Sequence, residues 1–444
     1  MTATIDRTTV VRQVAIPLLD GDTLYDVHVE DGEFARIEPV AGERTADTLE
    51  LWPGYVEAHA HLGLPANFDD SLDDPRILAL GYLYHGVTHV VDMFGFPLVK
   101  SLWEKGREES SVPYPSLAHC GYAATSMRDD EGRTGHGVEF PAPVYMLGVE
   151  GDVDPVLAAN EARGATFLKV MFTDGTEQPG TVIRFSKLTE RVLADAARAT
   201  ARRGIPAVID CNTREEVLQA YDCGFRLFAH SVRDYVLSDE DWQHLEGARF
   251  VSTLAGLRPM IMHPGDFLDE YSRPGFLETQ DPANLAFVAT REQPYGIEFG
   301  VQDTRTAALD VMRANALAAL ERGVLLAGTD CGNTGAFHGY SLLSELDLLH
   351  GDGTDVPDLA DALRRVATVS GWRFFEQLSG RSGEGHPIAV GGAATFNLLK
   401  PGKNTALSAL PEVTVINGVT VDRDALERDI REFRSSESKG KVSL

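Results

Sequence analysis

The middle of the chain repeats one unit, a short apolar run followed by an amphipathic helical stretch. GVTHVVDMF, ATFLKVMF, IPAVIDC, FRLFAHSV, RFVSTLAG and GVLLAGTD are such runs. LTERVLADAARATARRG, TREEVLQAYDCG and TRTAALDVMRANALAALERG separate several of them, each stopping near a Gly, as helices do. Strands this apolar need cover on both faces, and strands alternating with helices build parallel sheets. The pattern predicts an α/β chain folded as a (β/α)₈ TIM-like barrel. No repeat with the period of a solenoid is present.

At 444 residues the chain exceeds one comfortable core, leaving room for an accessory domain. Both ends supply it. From Val10 to Leu51, VRQVAIPLL, LYDVHVE and EFARIEPV read as strands cut by GD and DG turns, DG being a strong hairpin signal. AATFNLL, EVTVING and VTV repeat that texture after the turn-rich GRSGEGHPIAVGG. Residues 1–53 and 385–434 are therefore expected to form one small discontinuous β-sandwich domain, residues 54–384 the barrel, and residues 435–444 a flexible tail.

Acidic residues outnumber basic ones 67 to 40, a formal charge of −27, which repels nucleic acid and anionic membranes. The same excess serves as a solvated surface, so it names no substrate. Cys120, Cys211, Cys223 and Cys331 have no CxxC spacing and are too few for a disulfide framework. No segment approaches the length of a membrane span and MTATIDRTTVVRQVAIPLLDGD is unlike a signal peptide, so a soluble cytoplasmic enzyme acting on a small molecule is expected.

Candidate chemistry lies at the ends of the predicted strands. His59 and His61 in VEAHAHLG stand at i and i+2, which on a strand turns both imidazoles to one face. An HxH alone is weak; behind a Pro-Gly turn at the first barrel strand it reads as a metal-ligand pair. Lys169 interrupts the apolar TFLKVMF, where a bare ammonium is costly. Two solutions are open: pairing with a carboxylate, or reaction with CO2 to a carbamate able to bridge two metals. His230 in RLFAHSV and Asp330 in LLAGTDCG end apolar strands, and each alone also reads as a hydrogen-bonded core histidine or a helix-capping aspartate.

Taken together these residues resemble the amidohydrolase superfamily, and within it the imidazolonepropionase-like and prolidase-like branch of metal-dependent hydrolases. PGYVEAHAH resembles the PG-x-x-D-x-H-x-H of that family, HGVTHVVDM its second strand, FLKVM its carbamylated-lysine strand, AHS its fourth-histidine strand and GTD its last barrel strand. FHGYSLLSELDLL and GHPIAVGGAATFNLL resemble the return to the sandwich. The resemblance implies His59, His61 and Asp330 on a first metal, a CO2-derived carbamate on Lys169 as bridge, His230 on a second metal, and Asp330 as proton shuttle. It implies one or two divalent ions, zinc before manganese or iron, a hydroxide generated between them, and a homo-oligomer, dimer or larger. His136 in RTGHGVEF resembles a segment whose imidazole meets a substrate carbonyl or oxyanion. His338 in AFHGYS falls on the expected rim as a further substrate contact.

One position departs from the pattern. Where the family presents histidine at the end of the fifth strand, this chain reads Pro206-Ala-Val-Ile-Asp210-Cys-Asn-Thr213. Asp210 has three readings: an oxygen ligand to the second metal, favouring Mn or Fe; a sign that this metal is weakly held or absent; or a group for substrate or protons. Cys211 should face the opposite side as a buried thiol. Glu57 replaces the usual aspartate before HxH and stands as a candidate buttress for a ligand; ATF replaces ADL near the end.

The leading expectation is an amidohydrolase cleaving an amide, dipeptide or cyclic amide C–N bond. A deaminase, or a biosynthetic cyclase, dehydratase or decarboxylase using Asp210, is the alternative on the same barrel. A non-enzymatic member is the third class, and it would have no need of the five ligands together. Substrate choice is expected from strand–helix loops such as Leu257 to Pro294, read as a lid.

Overall fold

The structure is a computed structural model describing residues 9–64, 71–110, 112–138, 143–148, 151–175, 184–291, 306–351, 358–383, 385–401, 407–435 and 441–443. Its β-rich ends form a single seven-stranded mixed sheet. Thr9–Ile16, Asp20–Glu30, Glu33–Val40 and Glu50–Pro53 come from one end, and Phe396–Leu399, Val413–Ile416 and Val419–Thr420 from the other. Phe396–Leu399 pairs antiparallel with Glu50–Pro53, which joins the two ends. The sheet curls back on itself. Phe34 N donates to Gly392 O and Gly391 N to Phe34 O, so the far strand meets the segment leading into Phe396. Val14, Ile16, Val27, Phe34, Leu51, Phe396 and Val415 fill the enclosed core.

Asp31 and Gly32, with φ of 50° and 89°, make the expected DG turn; both central residues of such a tight hairpin need positive φ. The first hairpin differs from expectation. Its chain reverses at Pro17–Leu19, and the GD pair lies inside the next strand, because Ile16 already pairs with Asp20.

The middle of the chain is α/β. Tyr55–Ala60, Val87–Asp92 and Ser116–His119 form one parallel sheet. A second parallel sheet contains, in order, Val144–Leu147, Ala123–Ser126, Leu168–Met171, Ala207–Asp210, Leu227–Phe228, Arg249–Val251 and Leu325–Leu326. Backbone bonds link both edge strands of the first sheet to segments of the second. Thr166 N donates to His119 O at 3.1 Å, and Ala58 N donates to Ala327 O at 3.1 Å. The strand Ser116–His119, absent from the sequence reading, is short and is broken from Ala123–Ser126 by Gly121 at φ 68°.

Helices cover these strands where the sequence placed them. Glu190–Arg203 starts on a Thr189 cap and stops at Gly204, which takes the left-handed φ of 66° that glycine tolerates. Arg214–Asp222 opens with a Thr213/Glu216 capping box. Glu216 does more than cap: its carboxylate also accepts from Asp174 N at 2.9 Å and Asn212 N at 2.8 Å. It thereby ties together the ends of the strands that carry Lys169 and Asp210.

The segment read as a lid is mostly helical. Leu254–Ile261, Phe276–Thr279 and Pro282–Ala289 surround a cluster of Phe267, Tyr271, Phe276, Phe337 and Tyr340; residues 292–294 lie outside the described residues. The far end of the chain also departs from a plain sandwich. Arg423–Ser435 is a helix whose Leu426 and Ile430 pack on Ile77, Leu80 and Leu83 of the helix Pro75–Tyr84. Within the expected tail, Lys441–Ser443 pairs antiparallel with Ser71–Asp73. Among the described residues no helix is long and apolar enough to cross a membrane.

Candidate metal centre

Alternation along Tyr55–Ala60 and beyond sends Glu57, His59 and His61 to one side. The strand ends bearing Lys169, Asp210, His230 and Asp330 bring those side chains to the same place. Two corners result.

In the first corner His59 Nε2 lies 3.1 Å from His61 Nε2, and Asp330 Oδ1 lies 3.3 Å from the former and 2.9 Å from the latter. His59 Nδ1 is 2.9 Å from Ala229 O, an acceptor only, so Nδ1 carries the proton and Nε2 presents its lone pair. Phe94 stacks on His61 at 4.0 Å between ring centroids. Burial, reinforced by the Lys169 charge, holds the His59 pKa well below the ordinary imidazole value. Burial lowers that of His61 too. Burial would raise the Asp330 carboxyl, but the facing His59 ring and the His61 hydrogen bond win and keep it far below the usual carboxylate range. These three residues offer ligand atoms within 4.8 Å of one another and form a candidate metal site. The donor set fits a cation: two buried neutral imidazoles and an ionised carboxylate converge, with few protons among them to hold them together.

The backbone under this corner is held hard. Asp330 has φ 59°, unusual for a side-chain-bearing residue and costing on the order of 1–3 kcal/mol. Its N–H donates to His59 O at 2.8 Å, and His61 N donates to Cys331 O at 2.8 Å. Gly332 permits this approach, since a Cβ there would meet His61 O at 2.3 Å. Glu57 clamps the same junction. Its carboxylate accepts from His59 N at 3.0 Å, Thr329 N at 2.9 Å and Thr329 Oγ1 at 2.8 Å. Burial pushes its pKa up to about 8 against those donors.

The second corner has another composition. Lys169 is fully buried, and its Nζ lies 3.5 Å from Asp210 Oδ2 and 3.5 Å from His59 Nε2. The same Asp210 oxygen is 3.4 Å from His230 Nε2, while His230 Nδ1 is 2.8 Å from Thr253 Oγ1. Burial would raise the Asp210 carboxyl; His230 and Lys169 overcome it, with help from His136, and hold it well below the ordinary value. Thr253 shares the unusual left-handed backbone at φ 59°.

His136 thus acts on Asp210 from a half-buried position, its ring 4.7 Å from that of Phe185. His338 is not brought into the donor cluster. It is buried behind the HxH strand with Nε2 3.2 Å from His61 O, and burial lowers its pKa to about 4. Cys211 is buried on the opposite face, its Sγ toward Glu216 O. Sequence reasoning missed Thr253 and Phe94, neither of which carries a motif, and Glu216, whose capping-box spacing does not foretell its grip on Asp174 and Asn212.

No known protein-family profile matches the sequence. No curated protein matches it either. Among solved structures, bottromycin amidohydrolase aligns with TM-score 0.65 and 20% identity, covering 96% of this chain and 89% of that one. A prolidase complexed with N-methylphosphonate-L-proline aligns at 0.62 and 18%, covering 94% and 100%. The ochratoxinase of A. niger aligns at 0.59 and 17%, covering 89% and 90%. Over nearly its whole length the chain shares the fold of these amidohydrolase-superfamily structures.

Proposed function

We propose that the protein is a metal-dependent hydrolase of the amidohydrolase superfamily, acting on the C–N bond of an amide, dipeptide or cyclic amide. The observation that carries this reading is the convergence of His59 Nε2, His61 Nε2 and Asp330 Oδ1 at the C-terminal ends of parallel strands. Support also comes from the names of the aligned structures, an amidohydrolase, a prolidase and an ochratoxinase. The architecture we infer is a closed (β/α)₈ barrel over residues 54–384 with a β-domain from both ends. The two bonds linking the parallel sheets support closure.

His59, His61 and Asp330 would hold a divalent ion, zinc before manganese or iron. Bound there, such an ion polarises a carbonyl and acidifies water. The residues then divide the work. Asp330, ionised at neutral pH, accepts a proton on one carboxylate oxygen and returns it to the departing nitrogen. His136, close enough to Asp210 to lower its pKa, would donate to the substrate carbonyl as negative charge develops on it. His338 holds the strand of His61 in place through its contact with the His61 carbonyl, and with it the edge of the substrate pocket. Glu57 fixes the spacing of His59 and Asp330.

The test is metal content and turnover on one preparation. Protein purified without chelators is expected to carry a stoichiometric divalent ion and to hydrolyse a member of a panel of N-acyl amino acids, dipeptides and lactams. A chain that binds no transition metal even after reconstitution would sink the reading.

A further inference from the structure

This inference rests on reading the barrel mouth as a metal centre, and concerns how many metals it holds. The ligand atoms that lie within 4.8 Å of one another belong to His59, His61 and Asp330. Asp210 and His230 form a separate group around Lys169, with the Asp210 Oδ2 atom 3.5 Å from Nζ and 3.4 Å from His230 Nε2. An ammonium has three N–H donors and no lone pair, so Lys169 in this form ligates nothing.

A second metal bridged through Lys169 needs a carbamate. In that step the ammonium first gives a proton to solvent, the freed amine nitrogen adds to the carbon of CO2, an N–C bond forms, one C=O π pair moves onto oxygen and a second N–H proton leaves to solvent. The product replaces the positive charge at Nζ with a negative one and sets it against the buried Asp210 carboxylate. Only a second divalent ion would offset those two anions, whereas the pair already present is balanced without one. A buried ammonium needs a counter-charge, and Asp210 supplies it. The geometry points to a centre with a single metal on His59, His61 and Asp330, in which Asp210 is the counter-ion of an unmodified Lys169. Two imidazoles and a carboxylate with a fourth position open is the ligand count of a catalytic zinc rather than a structural one.

The test loads the full chain with excess zinc or manganese, with and without ¹³C-labelled bicarbonate, and removes unbound ions by gel filtration. Metal is counted by ICP-MS and carbamate is sought by ¹³C NMR. One equivalent in both conditions, with no carbamate resonance, is the expected result. Two equivalents, or a carbamate resonance, overturn the inference while leaving the proposed hydrolase standing; no bound metal overturns both. Asp210→His, which removes the counter-charge, should take up a second equivalent and show the resonance in bicarbonate. One equivalent and an unmodified lysine in a folded variant would show that Asp210 does not exclude the second metal. Should that variant fail to fold, the wild-type count still decides.

Discussion

The two corners of the centre are built from similar residue types and do opposite things. His59, His61 and Asp330 bring three ligand atoms together with little of the chain's own to hold them, a His61–Asp330 hydrogen bond and the Lys169 ammonium 3.5 Å from His59 Nε2. Lys169, Asp210 and His230 bring donors to an acceptor, and their charges answer one another. Convergent acceptors are an unmet demand for a cation, whereas a buried ion pair is a demand already met. Asp330 is the one partly exposed member of either corner, and composition, more than depth, separates a binding corner from a supporting one.

The largest effects should come from the first corner. His59→Ala is expected to abolish both metal retention and turnover, read by ICP-MS and a hydrolysis assay. Asp330→Asn, which keeps the shape and loses the base, should lower kcat by about 10²–10⁴-fold. Glu57→Gln should weaken metal affinity by about 10–100-fold through the strand junction it clamps, measurable by competition with a chromogenic chelator.

Changes in the second corner should appear in stability. Lys169→Met leaves Asp210 buried without its ammonium partner, and is expected to cost about 3–5 kcal/mol in urea unfolding of the metal-free protein. Lys169→Met combined with Asp210→Leu should cost less than the single change, because no charge is stranded. A double variant less stable than the single one would break the contrast between the corners. Thr253→Val removes the partner of His230 Nδ1 and should cost about 1 kcal/mol with metal content unchanged.

The smallest effect expected is the response of metal content to mild acid. His59 and His61 resist protonation in the folded chain, while in the unfolded chain they titrate near 6.5. Below that pH the unfolded state binds more protons than the folded one, so metal-free stability falls as pH falls. Metal content should hold between pH 7.5 and a pH about one unit below the ordinary imidazole value. Loss of metal in step with an ordinary imidazole titration would show that burial does not protect the pair.

Much of this was legible in the chain because it is local. Two histidines two apart on a strand share a face whatever surrounds them, and DG turns a hairpin by its own backbone preference. Lys169 stood out as a cation in an apolar run. The partner it takes was not legible, since that follows from the parallel register in which Met171 sits beside Asp210 and Lys169 beside Val208. Glu216 announces a capping box in sequence, yet its grip on Asp174 and Asn212 exists only after two strands are side by side. His338, placed on the rim by sequence order, is drawn inward because the His61 carbonyl offers its ring a partner.

The contact between Pro75–Tyr84 and Arg423–Ser435 has a consequence for biosynthesis. The two helices are some 340 residues apart, and translation proceeds at about 5–20 residues per second, so the first waits roughly 17–70 s for its cover. Ile77, Leu80 and Leu83 stay uncovered on the nascent chain for that interval, a surface for chaperones to hold. Release of a chain cut before Leu426 would leave that surface uncovered for good.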